Sequence, residues 1–152
     1  ENLEVKIELA IEAAASVAYY LIHCNQLVGL TTNGENVINN LQTIKPGQGS
    51  SHLLKMMELL ASLELTAEND FLSTIEARSK QVVPGSTLLL ITDQDTDQLL
   101  ATALKLCREG LNVVIIVLSS QLLHPQYLNR PYTENLVIYK LTRKEDIYGW
   151  GG

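Results

Sequence analysis

Two unbroken apolar runs, Thr87 to Thr92 and Asn112 to Leu118, stand on either side of a stretch from about Asp97 to Arg108 that closes on Gly110. Strands in half-exposed sheets alternate apolar and polar residues, whereas strands covered on both faces read as continuous Leu, Ile and Val. The two runs therefore predict strands buried on both faces. Parallel strands need a crossover of a dozen or more residues between them, usually a helix. A helix over 97–108, with Gly110 as its C-cap, meets that need. Leu136 to Leu141 supplies a final strand. The fold class expected is α/β, with a mostly parallel central sheet and helices on both faces.

Upstream, Ile7, Ile11, Ala14, Ala15, Ala18, Leu21 and Ile22 follow a 3.6-residue period, with Glu4, Glu8 and Glu12 on another face. This predicts a long helix from about Val5, whose small side chains let a sheet approach closely. Leu3, Val5, Ile7 and Leu9 also alternate as a strand would, so its first turn has a competing reading. Leu27 to Thr32, the turn signal Asn33-Gly34 and the run Val37 to Ile44 predict a hairpin. After Lys45-Pro46-Gly47-Gln48-Gly49, Ser50 and Ser51 are natural N-caps of a helix whose Leu53, Leu54, Met57, Leu60 and Ala61 share a face. A further helix is expected from about Glu68 to Lys80, stopped by Pro84-Gly85. Ser119 to Asn135, with Pro125 and Pro131, reads as loop with one helical turn.

At 152 residues the chain has the length of one domain, and a single domain over 1–152 is expected. Eleven basic against seventeen acidic residues leave a net charge of -6, which opposes attraction to phosphate backbones or anionic lipid, so no nucleic-acid partner is expected. Cys24 and Cys107 lie among apolar neighbours outside any Cys-x-x-Cys pair, which predicts buried thiols in a reducing compartment. The apolar runs fall far short of the ~20 residues a spanning helix needs. The chain starts at Glu1 rather than Met and stops in Gly149-Trp150-Gly151-Gly152, so it reads as a piece of a longer or processed protein. Any signal peptide or membrane anchor would then lie outside it.

The most suggestive chemistry is the alternation Asp93, Asp95, Asp97 just beyond a predicted strand, because open α/β sheets bind ligands at the carboxyl ends of parallel strands. An EF-hand loop fails, since Gln98 and Leu104 stand where Gly and Glu are required. Asp93-Gln94-Asp95 resembles the nucleophile and acid of haloacid dehalogenase phosphatases. Asp97, however, stands where that family usually has Thr or Val, and no acidic Gly-Asp motif follows. The plainer reading has Asp95 and Asp97 capping the next helix, where its dipole favours them. Asp93 stays open to either role. Pro46 to Ser51 opens a helix as an anion cradle would, but lacks the P-loop Lys and a third fingerprint glycine, and reads as a flexible turn. His23, His52 and His124 show no metal-ligand spacing. No complete catalytic constellation emerges.

In order and spacing, Glu8-x-Ala10-Ile11 leading to Ala14-Ala15-Ser16-Val17-Ala18, then Leu27-Val28-Gly29-Leu30, Gly49-Ser50-Ser51-His52-Leu53-Leu54 and Leu89-Leu90-Ile91-Thr92-Asp93 resemble a bacterial group. It is the carboxyl-terminal part of the domain of unknown function 58 family, over roughly Glu8 to Leu118. That family is similar to von Willebrand factor A domains, a Rossmann-like three-layer sandwich. In metal-binding A domains a divalent cation sits on an Asp-x-Ser-x-Ser motif after the first strand, a Thr opening a helix and an Asp after the fourth strand. By position Ser51 matches the Thr and Asp93 the Asp. The Asp-x-Ser-x-Ser strand would precede the first helix and is missing here, so the resemblance implies a domain that lacks its first, central strand. With one carboxylate and one hydroxyl, no tightly held metal is expected in this chain, and Mg²⁺ only in the whole protein. An N-terminal segment, the C-terminal strand or a second chain, the last giving a homodimer, would fill the gap.

The resemblance further implies a non-enzymatic protein-interaction domain acting beside a MoxR-type AAA+ ATPase. Its location would be the cytoplasm, with membrane attachment only through a segment outside this chain. The competing expectation is a magnesium-dependent phosphatase, or another phosphate-handling enzyme, using Asp93 and Asp95.

Overall fold

The computed structural model describes residues 3–32, 35–36, 43–64, 71–93, 97–118, 130–133 and 135–149. They form two compact units, Glu1–Thr74 and Ile75–Gly152.

In the first unit, helix α1 (Leu3–His23) is followed by β1 (Val28–Thr31), β2 (Glu35–Asn36), β3 (Thr43–Gly47), helix α2 (Ser50–Ala61) and β4 (Leu63–Glu64). Helical periodicity prevails over the strand-like alternation at the start of α1. The helix stops where Asn25 takes φ 60°. There the amide of Gln26 reaches back to the Leu21 carbonyl and that of Asn25 to Ile22, the paired bonds of a Schellman stop. Ala18 and Ile22 are buried as expected, but Leu9 and Ala13 are the other buried positions, while Ile11, Ala14, Ala15 and Leu21 are half-buried. α1 packs on α2 and β1, and α2 on β3. Between them Ala18, Ile22, Ile44, Met56 and Leu59 make a core flanked by Val28, Leu30, Leu53, Met57 and Leu63.

The expected hairpin exists with its second strand displaced. β1 pairs antiparallel with β3, Leu30 opposite Ile44 and Val28 opposite Gly47, with an irregularity between Val28 and Leu30. The expected turn at Asn33-Gly34 and the residues 37–42 lie outside the described residues. β3 runs through Pro46 and Gly47, which the sequence reading assigned to a turn. A two-stranded sheet is all edge, where a proline without an N–H is tolerated. β2 and β4 form a second antiparallel pair.

Two expectations for α2 need correction. Its N-cap is Gly49, at φ 91° and ψ 170°, with no side-chain cap bond, so Ser50 and Ser51 are the first two helical residues. The chain turns in a conformation that only glycine adopts without strain, one residue before the serines. Of the expected face, Leu60 is buried and Leu53 and Met57 pack against the core, but Leu54 is 58% exposed and Ala61 exposed, and the other buried side chains are Met56 and Leu59. The apolar residues wrap most of the helix, so periodicity alone did not single out the face that packs.

The division between the units falls within helix α3 (Phe71–Ser79); the expected start of this helix at about Glu68 lies outside the described residues. The second unit continues with β5 (Thr87–Thr92), α4 (Asp97–Arg108), β6 (Asn112–Leu118), β7 (Arg130–Thr133), β8 (Leu136–Leu141) and a 3₁₀ helix, Lys144–Gly149. The sheet order is β5-β6-β8-β7. β5, β6 and β8 run parallel, and β7 lies antiparallel on β8 with an irregularity between Pro131 and Thr133. α4 packs on β6 and β8 through a face that buries Leu99, Ala103 and Leu106, and the 3₁₀ helix lies against β8. The chain is thus a mixed α/β fold, a three-stranded parallel run flanked by helices, with separate antiparallel pairing in the first unit.

β6, between β5 and β8, is the buried strand expected of it. β5 is not, because β6 is its one partner among the described residues, and Leu88, Leu89 and Ile91 are half-buried. Its apolar run marks a parallel strand but carries no information on how many neighbours that strand has. β7 falls where loop was expected: Pro131 weakens any strand signal, yet an edge strand accommodates it.

α4 ends as foreseen. Gly110 takes φ 98°, the Leu111 amide bonds the Leu106 carbonyl and the Gly110 amide that of Cys107. Gly110→Ala is expected to destabilise the second unit by about 1 kcal/mol, because a Cβ is strained at positive φ. Urea unfolding followed by circular dichroism measures it, and Asn25→Gly should shift the first unit the other way.

The 3₁₀ helix is secured by Asp146. One carboxylate oxygen accepts from the Thr142 amide at 3.1 Å, the Thr142 hydroxyl at 2.9 Å and the Arg143 amide at 3.3 Å. The other lies 3.6 Å from Arg143 Nε. These bonds, the Thr142 amide first, hold the carboxyl below its ordinary pKa. A depressed carboxylate stabilises the fold fully above its unfolded pKa of about 3.9, and that contribution fades as pH falls through the folded value. Water reaches the group, so Asp146→Asn is expected to cost less than about 1 kcal/mol at neutral pH. The cost should vanish in acid, as a pH series of urea midpoints would record.

Candidate functional site

Asp93 follows Thr92, the buried last residue of β5, and its side chain is exposed. Parallel pairing of β5 with β6 puts the Asp93 position at the carboxyl end of the sheet. The chain then enters α4, whose first helical residue is Asp97, an exposed carboxylate in the first turn where the helix dipole favours it; the residue before it lies outside the described residues. Asp95, the proposed acid of the phosphatase reading, lies outside the described residues. Ser51 is an exposed residue of the first turn of α2 in the first unit, whereas Asp93 belongs to the second. Their pairing is carried by the resemblance. Among the described residues no three His, Cys, Asp or Glu side chains come together as a metal-binding group.

The stretch Pro46 to Ser51 is more ordered in its bonding than a flexible turn. Gln48 Nε2 donates to the Asn25 carbonyl at 2.7 Å. His52 Nε2 donates to the Val28 carbonyl at 2.6 Å, which requires the proton on that nitrogen. The ring lies over Gly47, where an added Cβ would come within 2.6 Å of Nδ1. Glycine is there for the approach of His52, which accounts for half of the apparent anion-loop pattern. Sequence reasoning passed over His52 because a single histidine carries no spacing signal.

His23 bonds the Tyr19 carbonyl at 2.8 Å through Nδ1 and its ring centroid is 4.1 Å from that of Tyr19. His124 lies outside the described residues. Cys24 is exposed, against expectation, because the Asn25 stop ends α1 at the surface. Cys107 is half-buried, its thiol directed at the Asn135 carbonyl at 3.5 Å. Burial pushes that thiol's pKa up, against a smaller lowering by its backbone bond with Val113. A thiol held protonated is a poor nucleophile.

Among the described residues no helix is long and apolar enough to cross a membrane. No curated protein and no solved structure matches the chain. The β1–β3 hairpin, α2 and the β5–α4–β6 unit all fall within residues 2–123, which match the model of a family described as protein of unknown function DUF58, and the chain belongs to that family.

Proposed function

We propose that this chain is a non-enzymatic protein-binding domain of the von Willebrand factor A type, with a MoxR-type AAA+ ATPase in the cytoplasm as its partner. One observation supports the reading above others: Asp93 is exposed directly beyond the end of a parallel strand and ahead of the crossover helix α4. That is where open α/β sheets present ligand-binding loops. An exposed carboxylate there can pair with an arginine or lysine of a partner surface. Magnesium is not needed for this role. Asp93 offers a single carboxylate, short of the octahedral oxygen shell that Mg²⁺ demands, so the binding is derived without it.

Titration of the purified chain with a purified MoxR-type ATPase in a calorimeter tests the proposal. Saturable binding is expected, weakened about tenfold or more by Asp93→Asn, that is ~1.4 kcal/mol. The same variant should leave the unfolding free energy within about 0.5 kcal/mol, as surface substitutions do. Absence of binding would overturn the reading. So would hydrolysis of p-nitrophenyl phosphate with Mg²⁺ that Asp93→Asn abolishes, which would assign Asp93 and Asp95 to a phosphatase instead.

A further inference from the structure

We draw no further inference here: the strongest candidate, the outer edge of β5, an apolar strand with β6 as its one partner among the described residues, carries nothing because nothing in the structure shows what covers it.

Discussion

Leu136→Ala is expected to lower the unfolding free energy of the second unit by about 3 kcal/mol, within the usual span for a buried leucine cut to alanine. Leu136 is 0% exposed at the start of β8. It stands opposite Val113 of β6 on one side and Thr133 of β7 on the other, so three strands meet at its backbone. Truncation removes the transfer energy of the lost carbons and leaves a cavity, because paired strands on both sides resist collapse into the space. Urea unfolding monitored by circular dichroism gives the loss, and hydrogen exchange of the β6 and β8 amides locates it. Leu54→Ala, at a position 58% exposed, is the control and should change stability by less than about 0.5 kcal/mol. A loss at Leu136 no larger than the control's would mean that β8 is not packed as described.

Gly47→Ala should cost about 2 kcal/mol, and nearly all of that cost should disappear when His52 is alanine. The new Cβ would stand 2.6 Å from His52 Nδ1 and 2.7 Å from Cε1, too close for either group to remain in place. A free side chain would swing away cheaply. His52 is not free, because its Nε2 is held by the Val28 carbonyl, and Val28 is itself the partner of Gly47 in the hairpin. Moving the ring breaks that bond and leaves a part-buried carbonyl to find another donor. The double-mutant cycle separates this account from an effect on backbone freedom. If glycine were needed for its own flexibility, the cost of Gly47→Ala would persist unchanged in the His52→Ala background.

The parts of the fold that were legible in advance are those where two independent signals coincide. β5, β6, β8 and α4 occupy the residues expected of them: long apolar runs leave little choice of element, and Asp97 and Gly110 punctuate the helix between them. Legibility failed where the deciding factor was a neighbour remote in sequence. Nothing in Leu88 to Ile91 says whether β5 has one partner or two, and nothing in Met56 or Leu59 says that theirs, and not the side of Leu54, is the face of α2 that meets β3 and α1. Pro46 and Pro131 misled in the same manner, since a proline argues against a strand only until that strand is known to be an edge. For the candidate site, the place of Asp93 directly beyond β5 followed from the apolar run that ends on it. The helix-capping role of Ser50 and Ser51 did not survive, because the chain turns at Gly49, whose positive φ places the cap one residue before Ser50.

The ladder registers also set an order for assembly. Thr87 pairs with Asn112 and Val113 with Leu136, so both parallel ladders join residues about two dozen positions apart in the chain. Each must close a long loop before its first bond forms, which costs entropy in advance of any reward. β7 and β8 meet through a tight connection, with Thr133 opposite Leu136. That hairpin can form on the microsecond scale of local elements. The second unit would therefore grow from its carboxyl-terminal pair inward, with β6 docking on β8 and β5 arriving last, so that slowed folding should follow from weakening β8 far more than from weakening β5.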